Sequence, residues 1–142
     1  MARVVDVAAY ILAHKGRMTA MKLQKLVYYS QAWSLVWDER PLFSDRIEAW
    51  ANGPVCPSLY SLHAGQFDVS QIPGGNPEAL DETAKETIDA VLADYGDISS
   101  QWLSDLTHAE PPWADARGDL PLGTRSNREI THAAMAEYYG GL

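Results

Sequence analysis

The sequence predicts a mainly α protein, a compact bundle around a central apolar helix with a small β-hairpin. Three observations carry that expectation. Within a helix that starts at Thr19, residues 27–37 are apolar or aromatic on most faces, which is the pattern of a buried central element. Leu80, Ala84, Ile88, Val91, Leu92 and Tyr95 recur at helical spacing, the mark of an amphipathic helix. Alternation suited to a strand is confined to a short stretch, residues 47–52.

In chain order, Val4, Val7, Ala8, Ile11 and Leu12 give a first helix over about residues 3–15, with Gly16 placed as a left-handed C-terminal cap. Thr19 is the expected N-cap of the central helix, in which Leu23, Leu26, Val27, Ser30, Trp33 or Ser34, and Trp37 trace one face. Asp38-Glu39-Arg40-Pro41 ends it. The strand at residues 47–52 runs into Gly53-Pro54, and Leu42-Phe43 is its expected hairpin partner. Pro57-Ser58 starts a brief helix carrying Leu59, Tyr60 and Leu62, and residues 66–77, rich in Gly and Pro, read as a surface loop. Gly96 ends the amphipathic helix, and Ser99 caps the next, which stops before Pro111. Thr131 caps a last helix through Ala133, Ala134, Met135 and Tyr138. The 142 residues, 46% of them hydrophobic, fit one domain spanning the whole chain, residues 1–142.

The charge narrows the possible partners. With 19 acidic against 11 basic side chains the net charge is −8, which repels a phosphate backbone. Lys15, Arg17, Lys22 and Lys25 form only a loose basic cluster, so nucleic acid is not the expected partner. A helix-turn-helix around Gly16 is also disfavoured, because its second helix is too apolar to read base edges. A DNA-binding regulator stays as a remote alternative that needs a basic stripe in the fold. The single Cys56 fits a reducing compartment. No stretch reads as a secretory signal or a membrane span, so a cytoplasmic protein is expected.

The candidate chemistry is sparse. Cys56 lies in no nucleophile motif, and a lone cysteine ordinarily serves as a small hydrophobe. His14, His63, His108 and His132 lack metal-ligand spacing, and neither a metal nor a cofactor is expected. Asp105, His108 and Glu110 form a local acid/base cluster that suits a hydrolase if it faces a cleft, or a helix end if it does not. Trp33, Trp37, Trp50, Trp102 and Trp113 are many for this length. Such rings fill cores, yet Trp50 and Trp113 stand beside Gly-Pro and Pro-Pro corners where a preorganised contact surface is readily built.

The run Leu23-Gln24-Lys25-Leu26-Val27-Tyr28-Tyr29-Ser30-Gln31-Ala32-Trp33 is followed in order by Pro41-Leu42-Phe43, Ile47-Glu48-Ala49-Trp50, Gly53-Pro54-Val55, Tyr60, Leu106-Thr107-His108, Glu110 and Pro112-Trp113. Together these pieces resemble the Panacea, or SocA-type, antitoxin domain over nearly the whole chain, and residues 130–139 resemble its closing helix. Residues 66–77 and 117–128 match nothing in that pattern. The resemblance implies a mostly helical domain of bacteria and phages, without catalytic activity, that neutralises a co-encoded protein toxin by direct binding. In a variant of that role it delivers the toxin to a protease as an adaptor. The expected partner-binding residues are Trp50, Asn52, Pro54, Val55, Tyr60, His108 and Trp113, on the expectation that they line one surface. An acidic antitoxin also suits a basic toxin, chiefly through association rate.

Overall fold

Helix starts in this chain are set by side-chain oxygens that satisfy backbone N–H groups left free in the first turn. In the computed structural model, which describes residues 2–142, Thr19 accepts from the Lys22 N–H, Asp81 from Ala84, Ser99 from Trp102 and Thr131 from Ala134. Thr19, Ser99 and Thr131 therefore cap where the sequence places them. The elements are α1 Val4–Lys15, β1 Met18–Thr19, α2 Ala20–Trp37, β2 Glu48–Trp50, β3 Gly53–Val55, α3 Pro57–His63 and β4 Asp68–Val69. A single 3-10 turn, Pro77–Ala79, then precedes α4 Glu82–Tyr95, α5 Ser100–Ala109, α6 Pro111–Arg117 and α7 His132–Gly140. The fold is mainly α, with two small antiparallel ribbons.

The central helix α2 packs against α1, α4, α5 and α7 and touches both ribbons. Leu23, Leu26, Val27, Tyr28, Tyr29 and Ala32 are buried along it, and so are Gln24, Lys25, Ser30, Gln31 and Ser34. Polar groups taken out of water need partners inside the protein; Ser30 bonds back to the Leu26 carbonyl, Lys25 Nζ has no partner, and the others find theirs in other segments. The Gln31 carboxamide accepts from Leu42 N–H at 2.7 Å and donates to the Phe43 carbonyl at 2.9 Å. The Ser34 hydroxyl donates to the Arg40 carbonyl. Tyr29 donates to Glu110 Oε1 at 2.6 Å, and Tyr139 of α7 donates to the same oxygen at 2.8 Å. Burial pushes the Glu110 carboxyl up, and the two phenols work against that.

Several local expectations are corrected. Leu42-Phe43 is not a strand; its backbone is tied to Gln31, and the partner of β2 is β3, with Ala49 opposite Pro54. The other edge of β2 is covered by residues 128–130, through Ala49 N–H to the Arg128 carbonyl and Ile130 N–H to the Ile47 carbonyl. Residues 66–77 are more than a surface loop, because β4 pairs with β1 and Val69 and Ile72 are buried. Gly75 lies so close to α1 that a Cβ there would stand 2.5 Å from the Val5 carbonyl oxygen. Pro111-Pro112 is not a corner but the first turn of α6, where a missing N–H costs nothing and the fixed φ suits a helix. Arg117 of α6 donates to the carbonyls of Ala49, Pro121 and Thr124, which fixes the residues leading to α7.

Gln31→Met removes the acceptor of the buried Leu42 N–H and leaves the Phe43 carbonyl unpaired, so we expect a loss on the order of 3 kcal/mol. Urea unfolding followed by circular dichroism measures it, with the helical signal of the native protein unchanged.

Candidate functional site

The β2–β3 hairpin turns through Ala51-Asn52, and Gly53 follows at φ 122°, a conformation that L side chains rarely adopt. On one side of the hairpin lies a groove of about 840 Å³, walled by Glu48, Trp50, Asn52 and Val55, by Tyr60 and His63 of α3, and by residues 65–67 and 125–127. Met21 and Gln24 of α2 form part of its lining. Trp50 and Tyr60 meet edge to face at 4.9 Å, and Trp50 Nε1 donates to Glu48 Oε1 at 2.9 Å, so the aromatic wall is oriented from two directions. Phe67 at the rim is 80% exposed and Tyr60 is 39% exposed.

The floor is rigid because Gln24 makes it so. Its Oε1 accepts from the Cys56 N–H at 2.9 Å, and its Nε2 donates to the Cys56 carbonyl at 3.4 Å and to His63 Nε2 at 2.9 Å. With the amide oxygen already committed to Cys56, the NH₂ faces the ring, and His63 Nε2 must accept. The imidazole is thus held neutral, and burial pushes its pKa down in the same direction.

Behind the hairpin lies a second, buried layer. Trp113 Nε1 donates to the Trp50 carbonyl at 2.8 Å, and the His108 ring stacks on Trp113 at 4.1 Å with the planes 9° apart. Lys25 is wholly buried beneath Gly53. Of the seven residues expected on one surface, Trp50, Asn52, Val55 and Tyr60 line the groove, while Pro54 and Trp113 are buried behind it with His108 beside them. The hairpin divides the set, so the seven residues do not form one face. Sequence reasoning missed Phe67, Gln24 and His63. Phe67 had a signal, a large ring isolated between Gln66 and Asp68 in an otherwise polar stretch, whereas nothing in the sequence aims Gln24 at Cys56.

The groups considered for catalysis do not converge. Cys56 is buried, burial pushes its thiol up, and its Sγ lies 3.5 Å from Ser58 Oγ. Glu110 turns inward to two tyrosines, and Asp105 is exposed and accepts from Gln101. Among the described residues no three His, Cys, Asp or Glu side chains gather as metal ligands. The loose basic cluster also disperses: Lys15 pairs with Asp97, Arg17 with Asp68, and Lys25 is inside. Among the described residues no helix is long and apolar enough to cross a membrane.

The arrangement defines a helical domain that presents a stiff aromatic groove beside a buried polar layer. The pattern of the antitoxin SocA-like family, Panacea domain, matches residues 23–114, which is more than half of the chain. The chain belongs to that family. Membership carries an antitoxin role and a toxin partner in general terms, and it points to a non-enzymatic function. Nothing among curated proteins or solved structures matches the chain.

Two outcomes test the site. A Cβ at residue 53 would stand 2.5 Å from Lys25 Cε in a backbone conformation strained for alanine, so Gly53→Ala is expected to lose on the order of 3 kcal/mol, read from the urea midpoint. The second concerns His63, whose folded pKa lies below the unfolded value of 6.5. Between those values the unfolded chain binds more protons, so the contribution is fully present above pH 6.5 and is lost as pH falls through the folded value. Unfolding midpoints taken from pH 7.5 to pH 5 should fall more steeply for the native protein than for His63→Gln, whose amide oxygen accepts without titrating.

Proposed function

We propose that this protein is an antitoxin that neutralises a co-encoded protein toxin by direct binding, in a stoichiometric complex, with the groove beside the β2–β3 hairpin as its docking surface. The observation that carries this reading is the pairing of exposed rings with a fixed support. Phe67 and Tyr60 project to solvent, while Trp50, Gln24 and His63 behind them are held by packing and hydrogen bonds. Large side chains that lose little freedom on binding are the usual source of interface energy.

The distribution of charge supports a basic partner. Residues 78–97 carry Glu78, Asp81, Glu82, Glu86, Asp89, Asp94 and Asp97 against Lys85 alone, all seven acids exposed on or beside α4. Arg40 pairs with Asp81, Lys15 with Asp97 and Lys85 with Glu78, so four of these acids stay without a cation, half of the net charge of −8. Such a field speeds encounter with a positive surface and repels nucleic acid, and the groove supplies the contact that lasts.

The toxin is expected in the neighbouring reading frame. Co-expression of that frame with the native protein should relieve its growth arrest at unchanged toxin level by immunoblot, which separates masking from delivery to a protease. The double variant Tyr60→Ala, Phe67→Ser is expected to fold with a native circular dichroism spectrum and to lose affinity by about 100-fold or more in calorimetry. Full neutralisation by the folded double variant would remove the groove from the mechanism.

A further inference from the structure

The C-terminal half of α2 surfaces between α4 and α7 and carries a strip of rings that takes no part in the groove. Trp37, in the last turn, is 47% exposed and stacks on Trp33 at 4.9 Å. Trp33 is half-buried, and its Nε1 donates to the Tyr95 hydroxyl of α4 at 3.1 Å. On its other side Trp33 meets Tyr139 of α7 at 5.6 Å, and half-buried Tyr138 packs edge to face on Tyr139. The end of α7 passes close to half-buried Val36, since a Cβ at Gly140 would stand 3.9 Å from Val36 Cγ2. The rings are therefore fixed from both flanking helices while Trp37 meets water. An apolar area with polar margins marks a contact surface.

The strip faces away from the groove. Between Met21, which lines the groove, and Trp37 the helix advances about 24 Å and makes four full turns and about 160° more. A protein seated in the groove leaves the strip open.

Acids border the strip, and no cation answers them. Asp38 and Glu39 follow Trp37 directly, Asp94 precedes Tyr95, and Glu137 precedes Tyr138. Burial, with the charges of Glu110 and Asp94 and against the Trp33 hydrogen bond, pushes the Tyr95 phenol up, so Asp94 stands within electrostatic reach of the rings. Among the described residues none of these four acids forms an ion pair, and Arg40 gives its guanidinium to both oxygens of Asp81. A second copy of this chain would bring the same acids, and an anionic lipid surface would be repelled in the same way. Indole faces attract cations most strongly of the aromatic rings, and the bordering carboxylates act in the same direction.

We propose that this strip is a second docking surface, whose occupant is a basic amphipathic helix of a protein other than the one in the groove. Apolar side chains of that helix pack on Trp33, Val36 and Trp37, and its lysines or arginines reach the indole faces and the carboxylates around them. Filling the strip requires nothing of the groove, so this surface stands whether or not a toxin occupies the latter.

The indole N–H signals of the five tryptophans, assigned by single substitutions, read the surfaces separately by NMR. The probe is a synthetic helix of lysine and leucine, with one of glutamate and leucine as control, added to the free protein and to its complex with the neighbouring-frame protein. In both samples the basic peptide is expected to shift Trp37 and Trp33 and to leave Trp50 and Trp113 in place, while the acidic peptide shifts none. Trp37→Ser should keep the native circular dichroism spectrum and weaken peptide binding about 10-fold or more in calorimetry. The double variant Asp94→Asn, Glu137→Gln should also weaken it and flatten its salt dependence. Unchanged affinity in these variants, or shifts spread evenly over all five indoles, overturns the strip as a site. If the neighbouring-frame protein itself shifts Trp37 and displaces the peptide, the second protein is overturned as the occupant; a Trp37 shift with protein concentration alone overturns it in favour of a second copy. If no complex forms, the toxin reading of the groove fails, and the free-protein arm decides the strip alone.

Discussion

The constraint on which the structure depends is the desolvation of α2. A helix covered on nearly every side satisfies its own backbone, but its buried polar side chains need partners too, and apart from Ser30, bonded within the helix, and Lys25, bonded to nothing, they are answered by other segments. Gln24 answers to Cys56 and His63, Gln31 to Leu42 and Phe43, Ser34 to Arg40, Tyr28 to Tyr139 and Tyr29 to Glu110. Each bond pins a stretch that has little regular structure of its own. The hairpin, the entry to α3 and the residues after α2 are positioned by that helix, and the groove inherits its shape from them.

Stiffness belongs to the groove and exposed negative charge to α4. The groove brings together parts of α2, the hairpin, α3 and residues 125–127, so no single local element forms it. The exposed acids of α4 act at a distance that solvent and salt attenuate. The two features lie on separate elements, since no residue of α4 lines the groove.

What was legible in the sequence was local. The caps at Thr19, Ser99 and Thr131 and the apolar stripe of α4 depend on residues three or four apart, and periodicity reveals them. Trp50, Asn52, Val55 and Tyr60, expected from the sequence on a contact surface, line the groove because the hairpin and α3 follow each other directly. The hairpin register was misjudged because two short partners compete for one strand, and the choice is made by Gln31 claiming Leu42 and Phe43. Pro111-Pro112 reads as a corner in the sequence, but both prolines sit in the first turn of α6, where the lost N–H groups have no helical partner to lose. Lys25 was grouped with surface cations because charge is visible in a sequence and depth is not.

Glu110 ends α5 and caps the approach to α6, and one of its oxygens receives hydroxyls from both α2 and α7. Trp113, three residues on, holds the carbonyl of Trp50. Four helices and the hairpin are therefore joined through a few covalently continuous residues. Fluctuations that open α7 and those that loosen the aromatic wall belong to one cooperative unit, so the groove shares the protection of the interior, unlike the frayed margins where most loops reside.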